Sequence, residues 1–168
     1  MLASLSVGVL ASASNAAARD DEAPRAPPPP HVVIDEALRD RLHESLARSA
    51  TLQRQFAVIA GAMTIVEVRL SGPLPLHHRA EAIIKRYDSG HIRARILLPA
   101  GADFVELLAH ELEHVVEQIE GVDLAALART GDATRAFDGV FDTARARDAG
   151  RTAASEVEQA TRTLNAHY

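Results

Sequence analysis

His110-Glu111-Leu112-Glu113-His114 sits inside a run, Asp103 to Gly121, that reads DFVELLAHELEHVVEQIEG. Phe104, Leu108, Leu112, Val115, Val116 and Ile119 recur there at helical spacing, the pattern of an amphipathic helix with one apolar stripe. Asp103 with Glu106 three residues later is close to a capping box, and Gly121 stands where a C-terminal glycine cap belongs, so the helix is expected between them. Residues four apart on a helix lie one above the other. His110 and His114 are therefore placed for both imidazoles to bind one zinc ion. Glu111 beside them is placed to take a proton from water and pass it to a leaving amine. Both histidines border the apolar stripe, where side chains reach a cleft, whereas Glu113 and Glu117 are assigned to the solvated face.

Upstream, the period changes to two. Ala80 to Tyr87 and His91 to Leu98 read as strands joined by the turn Asp88-Ser89-Gly90, and Thr64 to Leu70 reads as a third, ended by Gly72-Pro73-Leu74-Pro75. In the second strand of the hairpin Ile92, Ala94, Ile96 and Leu98 share a face, leaving His91, Arg93 and Arg95 on a solvated one. Ile34 to Ala60 has helical spacing through Leu38, Leu42, Leu46, Leu52, Phe56 and Ile59, with Asp35 as N-cap and a break near Ser49 to Thr51. Beyond the motif, Asp132 to Asn165 is expected to be helical, with Phe137, Val140, Phe141 and Ala144 as its stripe and Gly150 marking a kink. The expected class is α+β: an N-terminal helix, a small three-stranded sheet with a hairpin, the motif-bearing helix and a C-terminal helix.

The ends of the chain set its organisation. Residues 1–18 carry a weakly apolar run from Leu2 to Ala13 and the small residues Ala16-Ala17-Ala18, which read as a signal peptide, although no Lys or Arg precedes the run. Export to the periplasm or the medium is expected. The run is shorter than the roughly 20 apolar residues of a transmembrane helix, so no stable membrane insertion is expected after cleavage. Residues 19–30, RDDEAPRAPPPP, read as a proline-rich linker, leaving 31–168 as one domain. The 168 residues include no cysteine, so any metal must be held by histidine and carboxylate. A net charge of −5 with no basic cluster argues against nucleic acid as a partner.

This order of elements around H-E-x-x-H resembles the zincin metallopeptidases, over roughly Thr64 to Ser155. The resemblance implies zinc, a peptide or protein substrate, and a strand beside the active helix that pairs with the substrate; here that strand would be His91 to Leu98. A third histidine of the metzincin kind is absent, since Val115 to Leu124 contains none. What remains is the gluzincin arrangement, in which a downstream carboxylate completes the site. Phe141-Asp142-Thr143-Ala144-Arg145-Ala146 resembles the Phe-Glu-Thr-x-x-Ala segment of small exported gluzincin-like proteins, which nominates Asp142; Glu156 and then Asp138 are the alternatives. Aspartate is one methylene shorter than the family's glutamate, so the elements bearing the ligands would have to approach more closely.

With three protein ligands a fourth position is left for water, and Glu111 would act as general base in peptide hydrolysis. The oxyanion donor is open among Tyr87, His91, His167 and Tyr168. His31, His43, His77 and His78 are assigned to the surface. The competing expectation, motivated by the short Asp142 and the small domain, is a catalytically weak or inactive zincin-like domain that binds metal or a protein partner.

Overall fold

The protein is described by a computed structural model covering residues 31–72, 74, 79–100, 103–135 and 141–166; the expected signal peptide and linker lie outside these. Its centre is a mixed sheet in the order β1-β2-β4-β3, built from β1 (Val32–Ile34), β2 (Thr64–Ser71), β3 (Glu81–Arg86) and β4 (Ile92–Pro99). β1, β2 and β4 run parallel, and β3 joins the far edge antiparallel to β4. The sheet thus has four strands where three were expected. Val32–Ile34 pairs with Val66–Val68 but is three residues long, too short for an alternating pattern to show in sequence.

Asp35 follows β1 at the head of α1 (Glu36–Arg48), but its carboxylate does not cap that helix. It accepts hydrogen bonds from the Leu70 backbone N–H at 2.8 Å and from Arg69 at 2.7 Å, fastening the entry of α1 to β2. The expected break falls at Ser49, whose hydroxyl accepts from Leu52 N–H and starts α2 (Ala50–Ala60). α3 (Phe104–Ile119) then crosses beneath β3 and β4. Leu108, Leu112 and Val115 are fully buried there, in one core with Val66, Val68, Ala94 and Ile96. Each such leucine contributes roughly 1.5–3 kcal/mol through burial. Gly121, at φ 75°, ends the helix: Gly121 N–H returns to Gln118 O and Val122 N–H to Glu117 O, a Schellman motif that only an easily left-handed residue completes.

The helices cover one face of the sheet. On the open face Arg93 and Arg95 stay exposed, as expected, but both converge on Glu67, which is buried beneath them.

The C-terminal region departs from the expected continuous helix. After α4 (Leu124–Thr130), the strands β5 (Ala133–Arg135) and β6 (Phe141–Thr143) pair antiparallel, and helix α5 begins only at Ala144, running to Asn165. Phe137, Asp138 and Val140 lie outside the described residues. Thr143 accepts from Ala146 N–H at 2.9 Å and caps α5, which is why the strand gives way to helix at that residue. Gly150 is no kink. α5 runs through it unbroken, and a Cβ there would lie 2.7 Å from the Glu106 carbonyl oxygen and 3.4 Å from His110 Cβ. With Ala146, Ala149 and Ala153 it forms a small-residue face that lets α5 close onto α3.

Candidate metal centre

α3 is enclosed by the sheet on one side and by α2 and α5 on others, so residues from Leu107 to Glu117 are buried all round except half-buried His110. One turn of it carries the two imidazoles, their ring centroids 5.0 Å apart and nearly perpendicular at 79°. β6 brings Asp142 to them: its Oδ1 lies 3.6 Å from His110 Nε2. The donor atoms of His110, His114 and Asp142 all fall within 4.8 Å of one another, and this group could hold a metal ion. Zinc bonds of about 2.0–2.2 Å set ligands about 3.4 Å apart in a tetrahedron, so binding requires the widest pair to close by up to about 1.4 Å.

Asp142 is held from one side only. Its Oδ2 accepts from Arg147 at 2.7 Å, while Oδ1 is buried and has no hydrogen-bond partner. A cation at this point would give that oxygen a partner. Two features bring the shorter aspartate towards the histidines: the strand β6 that carries it, and Gly150, which lets α5 pack closely beneath His110.

Burial, and then the neighbouring His114, hold His110 below the ordinary histidine range, which favours the neutral, metal-binding imidazole. Burial also opposes charge on His114, but its hydrogen bond to Glu117 and the nearby Glu111 outweigh this and raise its pKa. Glu111 is buried at 7 % exposure; burial pushes it up to about 7, against the pull of His114 and of a hydrogen bond from the Ala82 backbone.

That last contact comes from the outermost strand of the sheet among the described residues. Ala82 is in β3, the edge strand, whereas β4 (the strand expected to meet a substrate) is interior, paired on both sides. The expectation fails because the hairpin folds β3 outward past β4. β3 follows α3 from Ala82 beside Glu111 to Arg86, whose guanidinium reaches the Gln118 carbonyl. The turn holding Tyr87 and His91 is therefore about 17 Å along the strand from Ala82, and neither residue is brought to the imidazoles. Tyr87 is exposed and His91 Nδ1 hydrogen-bonds Ser89. His31 is exposed and His43 half-buried on α1; His77, His78, His167 and Tyr168 lie outside the described residues.

Glu156 is not at the cluster. It accepts from Ser49 Oγ at 2.6 Å and from Thr51 N–H at 3.0 Å, tying α5 to the first turn of α2. Glu113 and Glu117, assigned to a solvated face, are 0 % and 1 % exposed. Glu113 turns away from the histidines and gathers Arg54 at 2.5 Å, Gln55 at 2.6 Å and Arg145 at 2.6 Å. Glu117 Oε2 meets His114 Nδ1 at 2.9 Å and its Oε1 accepts from Thr143 at 2.7 Å. Glu117, Thr143 and Arg147 are thus site residues that sequence reading missed. A signal for Glu117 existed in its spacing, three residues past His114 on the same helix face.

In comparisons with known proteins, no family model matches this chain, and no curated protein and no solved structure is significantly similar to it.

Proposed function

We infer that this chain is a zinc-dependent peptidase of zincin type, exported by the signal peptide read at residues 1–18. The observation that carries the reading is the unpartnered, buried Asp142 Oδ1 facing the histidine pair of an H-E-x-x-H helix. His110, His114 and Asp142 would hold the metal; when bound, zinc supplies a Lewis acid that makes water nucleophilic near neutral pH and polarises a carbonyl. Glu111, adjacent in sequence and buried beside the pair, is the group that accepts the water's proton and returns it to the leaving amine. A peptide substrate adds alongside β3, the outermost strand of the sheet among the described residues and next to Glu111, by strand pairing.

The test is zinc content and hydrolysis of an unstructured protein such as casein, on wild type and Glu111→Gln. The variant should keep one zinc and lose at least about 100-fold in rate, the lower end of a general base's contribution. Equal rates would remove Glu111 as the base. Zinc bound by a wild type that hydrolyses nothing would leave a metal-binding module instead of an enzyme.

A further inference from the structure

α3 supplies His110 and His114, and β6 supplies Asp142; two residues outside that set join these elements. His114 Nδ1 meets Glu117 Oε2 at 2.9 Å, Thr143 Oγ1 meets Glu117 Oε1 at 2.7 Å, and the same Thr143 oxygen accepts from Ala146 N–H at 2.9 Å. Glu117 and Thr143 are each 1 % exposed, so water does not compete for these bonds.

Counting donors fixes the direction of each proton. The Ala146 N–H can only donate, so the Thr143 oxygen accepts there, and its single hydroxyl proton goes to Glu117. A carboxylate accepts at both oxygens. The bond from His114 therefore places the imidazole proton on Nδ1 and leaves the Nε2 lone pair for a cation. Thr143 is also the residue next to Asp142, so the hydroxyl that bonds Glu117 sets where β6 ends and where Asp142 stands relative to α3.

We propose that Glu117 and Thr143 form a positioning clasp that holds His114 in its Nδ1–H tautomer and keeps Asp142 beside the two histidines, from where a small contraction brings all three onto one cation. The clasp rests on the zinc reading above. A helix cap alone accounts for the Thr143–Ala146 bond. It does not require the hydroxyl proton to fall on a carboxylate whose other oxygen holds a metal-binding imidazole.

The experiment measures zinc affinity of the full chain by competition with a chromophoric chelator, together with the unfolding midpoint of the metal-stripped protein and the 15N ring shifts of His114. Thr143→Ser keeps both bonds and should bind zinc within about threefold of wild type, whereas Thr143→Val should lose about 10–100-fold, the range for groups that orient metal ligands. Glu117→Ala should lose as much and shift His114 towards a tautomer mixture. The double variant should bind no more weakly than Glu117→Ala alone, because the hydroxyl acts through Glu117. The cap lost with valine lowers the unfolding midpoint of the stripped protein, so zinc affinity of the folded chain is the deciding quantity. Should Glu117→Ala fail to fold, the Thr143 pair and the wild-type tautomer decide. Wild-type affinity in Thr143→Val, additive losses in the double variant, or a metal-free His114 protonated on Nε2 alone would overturn the clasp. A wild type that takes up no zinc removes the zinc reading and the clasp with it; a wild type that binds zinc no better than Thr143→Val removes the clasp alone.

Discussion

Asp142 and Glu156 are carboxylates on the same stretch of chain, and the structure puts them to different uses. Asp142 presents an unpartnered buried oxygen to His110, while Glu156 has its oxygens on Ser49 and Thr51 at the start of α2. Replacing Asp142 by Ala should therefore cost zinc affinity at least about 100-fold, beyond the range for orienting groups. Glu156→Ala should leave zinc uptake unchanged and lower unfolding stability by about 0.5–2 kcal/mol, the scale of a lost helix cap. Zinc titration and urea unfolding of the two variants distinguish them; equal zinc loss in both would mean that Glu156 reaches the metal after rearrangement. Nothing in the spacing of the two acids told them apart. The choice depended on which of them precedes the α5 cap at Thr143 and which lies opposite Ser49.

At the scale of elements, the approach of α5 to α3 governs the site. Gly150 reads in sequence as a helix breaker, since glycine weakens a helix interior by about 1 kcal/mol relative to alanine. Here the missing side chain is what the packing uses, because the Glu106 carbonyl occupies the space a Cβ would need. Gly150→Ala should destabilise the protein by roughly 1–3 kcal/mol despite its better helix propensity. It should also weaken zinc binding, as the start of α5 and Asp142 move away from His110. Thermal unfolding with zinc titration measures both, and a stabilised variant with unaltered zinc affinity would show that the helices have room to spare. The same packing explains the misplaced Glu113 and Glu117. An amphipathic pattern marks the face a helix turns to the sheet, but α2 and α5 cover the polar face as well, and Glu113 is buried among Arg54, Gln55 and Arg145.

Over the whole molecule, the proposed base is a cost to stability when metal is absent. Glu111 titrates near 4.5 when unfolded and at about 7 when buried in the fold. Its raised folded pKa means that the stability linked to its proton is fully present below about pH 4.5 and lost as pH rises through about 7. At about 1.4 kcal/mol per unit, the loss is on the order of 3–4 kcal/mol. Metal-stripped Glu111→Gln should match wild type in urea unfolding at pH 4.5 and exceed it by that amount at pH 8. A constant difference at both pH values would show that Glu111 is not buried as a proton carrier. Among the described residues no helix is long and apolar enough to cross a membrane.

The periodicities of the chain determined the α3 helix, the β2 strand and the β3–β4 hairpin, because a one-sided burial pattern repeats over enough residues to be read locally. His110, Glu111 and His114 were legible for the same reason: a helix places residues four apart on one face whatever surrounds it. Only the tertiary structure decided which acid faces the histidines, which strand is the sheet edge, and that β6 rather than a helix carries Asp142. Those facts follow from contacts between segments distant in sequence, and local spacing carries no record of them.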